Sequence, residues 1–282
     1  MKIGIKTNLK RDINALASKL FCQKLREVGI EYKVCDNAKD FFDPQSVAAA
    51  KDVFEWCDIV VAFGGDGTML DIVRNLPSDL PILGINMGKI GFLTEIDENQ
   101  MGYAISSLLS GDYAIERRSM LKATSGNQQF YALNEVVVSC QDPCHVSVFD
   151  VYIDGILADT LRSDGVLVST PTGSTAYSLS CNGPVLSPTV KALIVNGICP
   201  HSLHSCPMVV DDNMSIKIST NDDIMRVIAD GTIVTKSQIN GMDITIEKDN
   251  KQALFVRLNN QNFYAKLRFA SACFLAVVSP GA

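Results

Sequence analysis

Residues 59–63 read IVVAF and residues 64–68 read GGDGT. An apolar run with no polar alternation belongs to a strand covered on both faces, as in a parallel sheet with helices above and below it. Parallel neighbours require crossover connections, so this one segment constrains the layout of the chain around it. Downstream, Thr68 to Leu76 can form a helix that Pro77 ends, which makes GGDGT a strand-to-helix turn. In open α/β sheets ligands lie beyond the carboxyl ends of the strands, and this turn falls at such an end.

The rest of the first third alternates in the same way. Lys2 to Lys6 reads as a strand. Leu9, Ile13, Leu16, Leu20, Leu25 and Val28 fall at helical spacings, with Gly29 as the residue that ends the helix. Ile30 to Cys35 reads as a strand, Gln45 to Trp56 as a helix, and Ile82 to Ile85 as another buried strand. The fold class expected for residues 1–99 is an α/β domain with an open, mostly parallel sheet.

Past about Tyr113 helical periodicity becomes rare. Asp154-Gly155 separates VFDVYI from ILADTL, the signature of a type I′ hairpin, and Asp230-Gly231 lies between MRVIA and TIV. Ser215 to Ser219, Asp243 to Glu247 and Leu254 to Leu258 read as further strands. A β-rich second domain is expected over residues 100–250.

The net charge of −6 gives no general reason to expect nucleic acid or an anionic membrane as partner. No apolar run approaches the roughly 20 residues that span a bilayer, and MKIGIKTNLKRD lacks the apolar centre of a signal peptide. A cytoplasmic protein with reduced cysteines is the expectation. Two groups call for weighing as metal ligands, Cys140, Cys144 and His145, and Cys199, His201, His204 and Cys206. Neither has C-x-x-C spacing, so no metal site is assigned.

In the turn itself, glycine permits positive φ and close approach by a ligand. The N–H groups freed there, with the start of the following helix, suit phosphate, which points to Gly64, Gly65, Gly67 and Thr68. Asp66 is odd in that company, because a carboxylate repels phosphate. It either caps the helix, or it holds a cation or accepts a proton in phosphoryl transfer. Neither G-x-x-x-x-G-K-[ST] nor a G-x-G-x-x-G after the first strand is present.

Further segments follow in order: G-I-N-M-G-K-I-G-F-L (84–93), L-N-E (133–135), D-G-V-L-V-S-T-P-T-G-S-T-A-Y-S-L-S (164–180) and C-P-H-S-L (199–203). With GGDGT they closely resemble the bacterial NAD kinase family. GGDGT alone also occurs in diacylglycerol and sphingosine kinases and in phosphofructokinases; L-N-E together with TPTGSTAYSLS is far more specific. The resemblance implies a two-domain protein that moves a phosphoryl group from ATP, or in some members inorganic polyphosphate, to the 2′-hydroxyl of the adenosine ribose of NAD. A divalent metal, Mg²⁺, would travel with ATP. By the same resemblance Asp66 is the general base, and Gly67, Asn134 and Glu135 contact the dinucleotide. Thr175, Ala176, Tyr177, Ser178 and Ser180 line the adenosine pocket. Asp164 and Arg162 suit a ribose or amide group and pyrophosphate, and His145 stands where members often carry a basic residue. The family also implies a homodimer or homotetramer, and a tail, residues 251–282, returning to the first domain.

The plain readings stand beside these. Asn134-Glu135 is an ordinary strand entry, Arg162 and Asp164 a surface ion pair worth under about 1 kcal/mol, and GST a polar loop. Asp71, Cys181-Asn182-Gly183 and Thr232 depart from the family pattern and bear on substrate detail. Two other functions remain open at this point. A diacylglycerol-type lipid kinase shares GGDGT but usually has N-E shortly after it. A non-catalytic NAD(P) sensor would keep the pocket without needing Asp66.

Overall fold

The computed structural model describes residues 1–76, 79–88, 91–140, 146–202, 205–221, 225–237, 242–258 and 263–268. In chain order the elements are β1 (Lys2–Thr7), α1 (Leu16–Glu27), β2 (Glu31–Cys35), β3 (Val47–Ala48), α2 (Ala50–Trp56), β4 (Ile59–Gly64), α3 (Asp66–Asn75), β5 (Ile82–Asn86), β6 (Ile96–Asp97) and α4 (Met101–Ser110). There follow β7 (Ala114–Ser125), β8 (Gln128–Ala132), β9 (Glu135–Cys140), β10 (Ser147–Ile153), β11 (Ile156–Ser163), β12 (Gly165–Ser169) and α5 (Tyr177–Ser180). The last strands are β13 (Ala192–Ile198), β14 (Met208–Asp211), β15 (Ile216–Thr220), β16 (Met225–Ala229), β17 (Thr232–Ser237) and β18 (Met242–Arg257). The chain forms two compact units, residues 1–117 with those from Ala253 onward, and residues 118–252.

In the first unit β3, β2, β1, β4 and β5 lie side by side in that order, all parallel. One face carries Ile3, Ile5, Val61, Phe63, Leu83 and Ile85 against Phe21 and Leu25 of α1 and Ala104 and Leu108 of α4. On the other face a Cβ at Gly4 would meet Cys57 and Val53, and one at Gly84 would meet Met69, so α2 and α3 approach the strands where they lack a side chain. Both faces being covered, every residue of β4 is buried, which is why its sequence does not alternate. Each such aliphatic side chain contributes roughly 1.5–3 kcal/mol on burial. The chain passes from β1 to β2 on one side and later to β4 on the other. The carboxyl ends of β1 and β4 therefore flank the point where strand order reverses.

Helix α1 is shorter than its sequence pattern predicts. Both carboxylate oxygens of the buried Asp12 accept from the N–H groups of Ala17 and Ser18 at 2.9 and 3.0 Å, which stops the helix from running back toward Leu9. Ile13, Leu16 and Leu20 are consequently exposed, and the buried stripe is Phe21, Cys22 and Leu25. Gly29 follows the helix at φ 73° as expected.

The second unit is β-rich. An antiparallel sheet runs β14, β13, β12, β9, β16, β17. A second set pairs β11 with β10, β10 with β15, and β15 with residues 242–246 of β18. Val136, Val138, Val166, Val168 and Val195 of the first share one core with Phe149, Val151, Ile216, Ile218 and Ile244 of the second, so two layers pack face to face. Asp154 and Gly155 sit at φ 48° and 78°, and Asp230 and Gly231 at 46° and 73°, the pairs of positive angles that a type I′ turn requires. The separate strands expected at 243–247 and 254–258 are one strand, β18. The polar stretch KDNKQA between them continues extended rather than turning.

Candidate functional site

Strand β4 ends at Gly64 and α3 starts at Asp66, with Gly65 between them at φ −124° and ψ −167°. Gly64, Gly65 and Gly67 all lack positive φ, contrary to the sequence expectation. Space explains them instead. A Cβ at Gly64 would collide with the Thr68 side chain, whereas one at Gly65 or Gly67 would meet nothing within 4 Å among the described residues. Gly64 thus lets α3 close onto the strand, and Gly65 and Gly67 leave the helix start bare. Thr68 is buried, and its hydroxyl accepts from Asn8 Nδ2 at 2.9 Å, tying the turn to the chain leaving β1.

Asp66 does not cap its helix; Gly65 is the N-cap residue and no side-chain cap bond forms. Its carboxylate reaches to the segment after β5, where Oδ2 accepts from the Phe92 N–H at 2.8 Å and Oδ1 from the Leu93 N–H at 3.0 Å. A Cβ on Gly91 would overlap that carboxylate. Each oxygen retains a second acceptor direction, and the group is half-buried beside the exposed Gly67. The capping reading is therefore replaced by a pinned carboxylate with free lone pairs at a bare helix start.

A second group forms within the β-rich unit. Asp230 accepts from the N–H groups of Leu133 at 2.8 Å, Asn134 at 2.7 Å and Glu135 at 3.3 Å. Opposite it, Thr170 Oγ1 donates to the Leu133 carbonyl at 2.6 Å, and a Cβ on Gly173 would collide with the Asn134 carbonyl. The L-N-E turn is thus clamped between the β16–β17 hairpin and the turn after β12. Glu135 is 6% exposed. Burial first, then the charge of Asp230, pushes its pKa up to about 7, against a hydrogen bond from the Tyr177 backbone N–H. Among the described residues its Oε2 has no partner.

After a single turn, Gly173–Thr175, the chain enters α5. Tyr177 and Ser180 are exposed, Thr175 and Ala176 half-buried. Ser178 is fully buried; Asn196 Nδ2 lies 3.3 Å from both its hydroxyl and its carbonyl, and a Cβ at Gly183 would collide with it. Ser178 thereby anchors α5 to β13. Asp164 is half-buried, its N–H donating to the Ile198 carbonyl at 3.0 Å. It is among the charges that, after burial and Cys181 and Cys199, raise the pKa of Tyr177. Arg162, at the end of β11, is exposed and forms no ion pair with Asp164 among the described residues.

His145 lies outside the described residues, as do Cys144 and His204. Among the described residues no three His, Cys, Asp or Glu side chains converge as metal ligands. Asp71 is exposed, its carbonyl accepting from Asn75 Nδ2 at 2.7 Å, and Thr232 is exposed at the start of β17. Three features escaped the residue-by-residue reading: the Phe92 and Leu93 amides, Gly91, and the clamping role of Asp230. The first two sit in G-I-N-M-G-K-I-G-F-L, and Asp230 showed only as a hairpin residue.

Residues 14–113 match the family model described as the ATP-NAD kinase N-terminal domain, and residues 133–258 match the ATP-NAD kinase C-terminal domain. An NAD kinase of Thermoanaerobacter sp. (strain X514) is 33% identical over 95% of this chain and 97% of its own length. A bifunctional NADP phosphatase/NAD kinase of Methanococcus maripaludis is 36% identical over 84% of this chain, which spans 46% of that protein. The crystal structure of an NAD kinase from Archaeoglobus fulgidus in complex with ATP superposes with a TM-score of 0.77 at 26% identity, over 95% of this chain and 99% of that one.

Proposed function

This chain belongs to the NAD kinase family, and we propose that it transfers the terminal phosphoryl group of ATP to the 2′-hydroxyl of the adenosine ribose of NAD, giving NADP and ADP. The 2′-oxygen attacks the γ-phosphorus, the bond to the β,γ-bridging oxygen breaks, and the hydroxyl proton passes to Asp66. One observation carries the reading: Asp66 opens α3 without capping it, and two amides fix its carboxylate with lone pairs to spare. A carboxylate is a weak base for an alcohol, so its task is to orient the hydroxyl and take the proton late, as a loose transition state allows.

The open helix start at Gly65 and Gly67 suits phosphate oxygens, while the Thr68 N–H turns back to the Gly65 carbonyl at 2.9 Å. Glu135 Oε2, buried and without a partner among the described residues, suits a ribose hydroxyl as donor. Asn134, Asp164, Thr175, Ala176, Tyr177 and Ser180 are assigned to NAD, with Arg162 for pyrophosphate; Ser178 holds α5 in place for them. Mg²⁺ is assigned to the ATP phosphates that bring it, since their oxygens are the ligands this cation favours. Inorganic polyphosphate is the second donor to compare. We further assign a homodimer or homotetramer in the cytoplasm; among the described residues no helix is long and apolar enough to cross a membrane.

Neither rival function needs the pinned Asp66 to accept a proton from NAD. The test is Asp66→Asn. Turnover should fall by orders of magnitude while NAD still binds in calorimetry; undiminished NADP formation would remove Asp66 from the chemistry.

A further inference from the structure

The segment that holds Asp66 is itself held from its other side. While the N–H groups of Phe92 and Leu93 face Asp66, Arg257 Nη1 donates to the Leu93 carbonyl at 3.1 Å and Lys266 Nζ to the Thr94 carbonyl at 2.6 Å. Glu95, 4% exposed, accepts from Arg257 Nη1 at 3.0 Å and from the Leu258 N–H at 3.0 Å. Arg257 is anchored in turn by Glu116 at 2.6 Å. The Phe92 and Phe263 rings lie 6.1 Å apart. All of these residues belong to the first unit.

We propose that Arg257 and Lys266 are positioning residues for Asp66, acting through the backbone of residues 92–94. The inference rests on the reading of Asp66 given above. Two cations on the carbonyl side and one carboxylate on the amide side hold this segment in one place. Releasing the cations lets it shift, and the carboxylate shifts with it. A cavity of about 70 Å³ beside Lys266, lined also by Asn86, Thr94, Asp97 and Gln100, leaves room for water at the ammonium.

Burial, then the charge of Arg257, lowers the pKa of Lys266 to about 8, against the raising charges of Glu95, Asp66 and Glu116. Lys266 is thus cationic below about pH 8 and neutral above it. With the clamp weakened by deprotonation, kcat should decline as pH rises through that value.

The experiment compares the wild type, Lys266→Met, Lys266→Arg and Asp66→Asn for kcat and KM against pH, with hydrogen exchange at the Phe92 and Leu93 amides. A misplacement near 1 Å can cost about 100-fold in rate. Lys266→Met should therefore lose on the order of 10–100-fold in kcat, with KM for NAD and ATP little changed. Faster exchange at both amides and loss of the alkaline limb are expected as well. Lys266→Arg should restore kcat and move the limb to higher pH. A wild-type profile flat through pH 8, measurable whether or not the variants fold, would overturn the inference. So would Lys266→Met with unchanged kcat and amide protection. Should Asp66→Asn retain full turnover, the fault would lie in the reading of Asp66 itself, separately from the clamp.

Discussion

Asp66 shows what a single side chain can and cannot announce. Its presence among glycines raised the choice between a cap and a base, and that choice turned on atoms 26 and 27 residues away. Sequence could not supply those partners because they are backbone N–H groups, which every residue but proline carries. Gly91 gives the direct check. Gly91→Ala puts a methyl group where the carboxylate lies, so kcat should fall about 100-fold while the circular dichroism spectrum stays that of the wild type. Glu135 offers a second. Its pKa in the folded chain, about 7, exceeds the ordinary glutamate value of 4.5. Between those pH values the folded chain keeps a proton that the unfolded chain has lost, so this group makes stability fall as pH rises through the window. The total is about 3 kcal/mol. Urea midpoints measured from pH 4.5 to 7.5 should show less decline in Glu135→Gln than in the wild type.

At the scale of elements, legibility followed burial symmetry. Strand β4 could be read because both its faces are covered, and the two Asp-Gly hairpins because their turn type demands positive φ. Helix α1 could not be bounded, because the buried Asp12 that starts it looks in sequence like any surface acid. Its apolar stripe was misplaced for the same reason: Leu16 and Leu20 fit a helical pattern yet are 65% and 45% exposed. The NAD-assigned turns were legible only as a family motif, since their geometry depends on Asp230 and Gly173 pressing on L-N-E from distant strands. Phe63 joins strand to helix, its ring 5.5 Å from that of Phe21, immediately before the functional turn. Phe63→Ala should cost about 3–5 kcal/mol in urea unfolding, with a loss below 1 kcal/mol contradicting the packing described.

For the whole molecule, thiol chemistry separates inside from outside. Burial pushes Cys22 and Cys35 up to about 12 and Cys57 to about 11, whereas Cys199 and Cys206 are exposed. Iodoacetamide should alkylate Cys199 and Cys206 in the folded protein and reach Cys22, Cys35 and Cys57 only after unfolding, as peptide mass mapping would report. The central claim concerns what the assembled protein makes. Purified protein given NAD, Mg²⁺ and ATP, with polyphosphate in a parallel reaction, should form NADP in proportion to enzyme, phosphorylated at the adenosine 2′-position. An absence of NADP with either donor, while NAD remains bound, would contradict the account and leave a dinucleotide-binding protein without transfer activity.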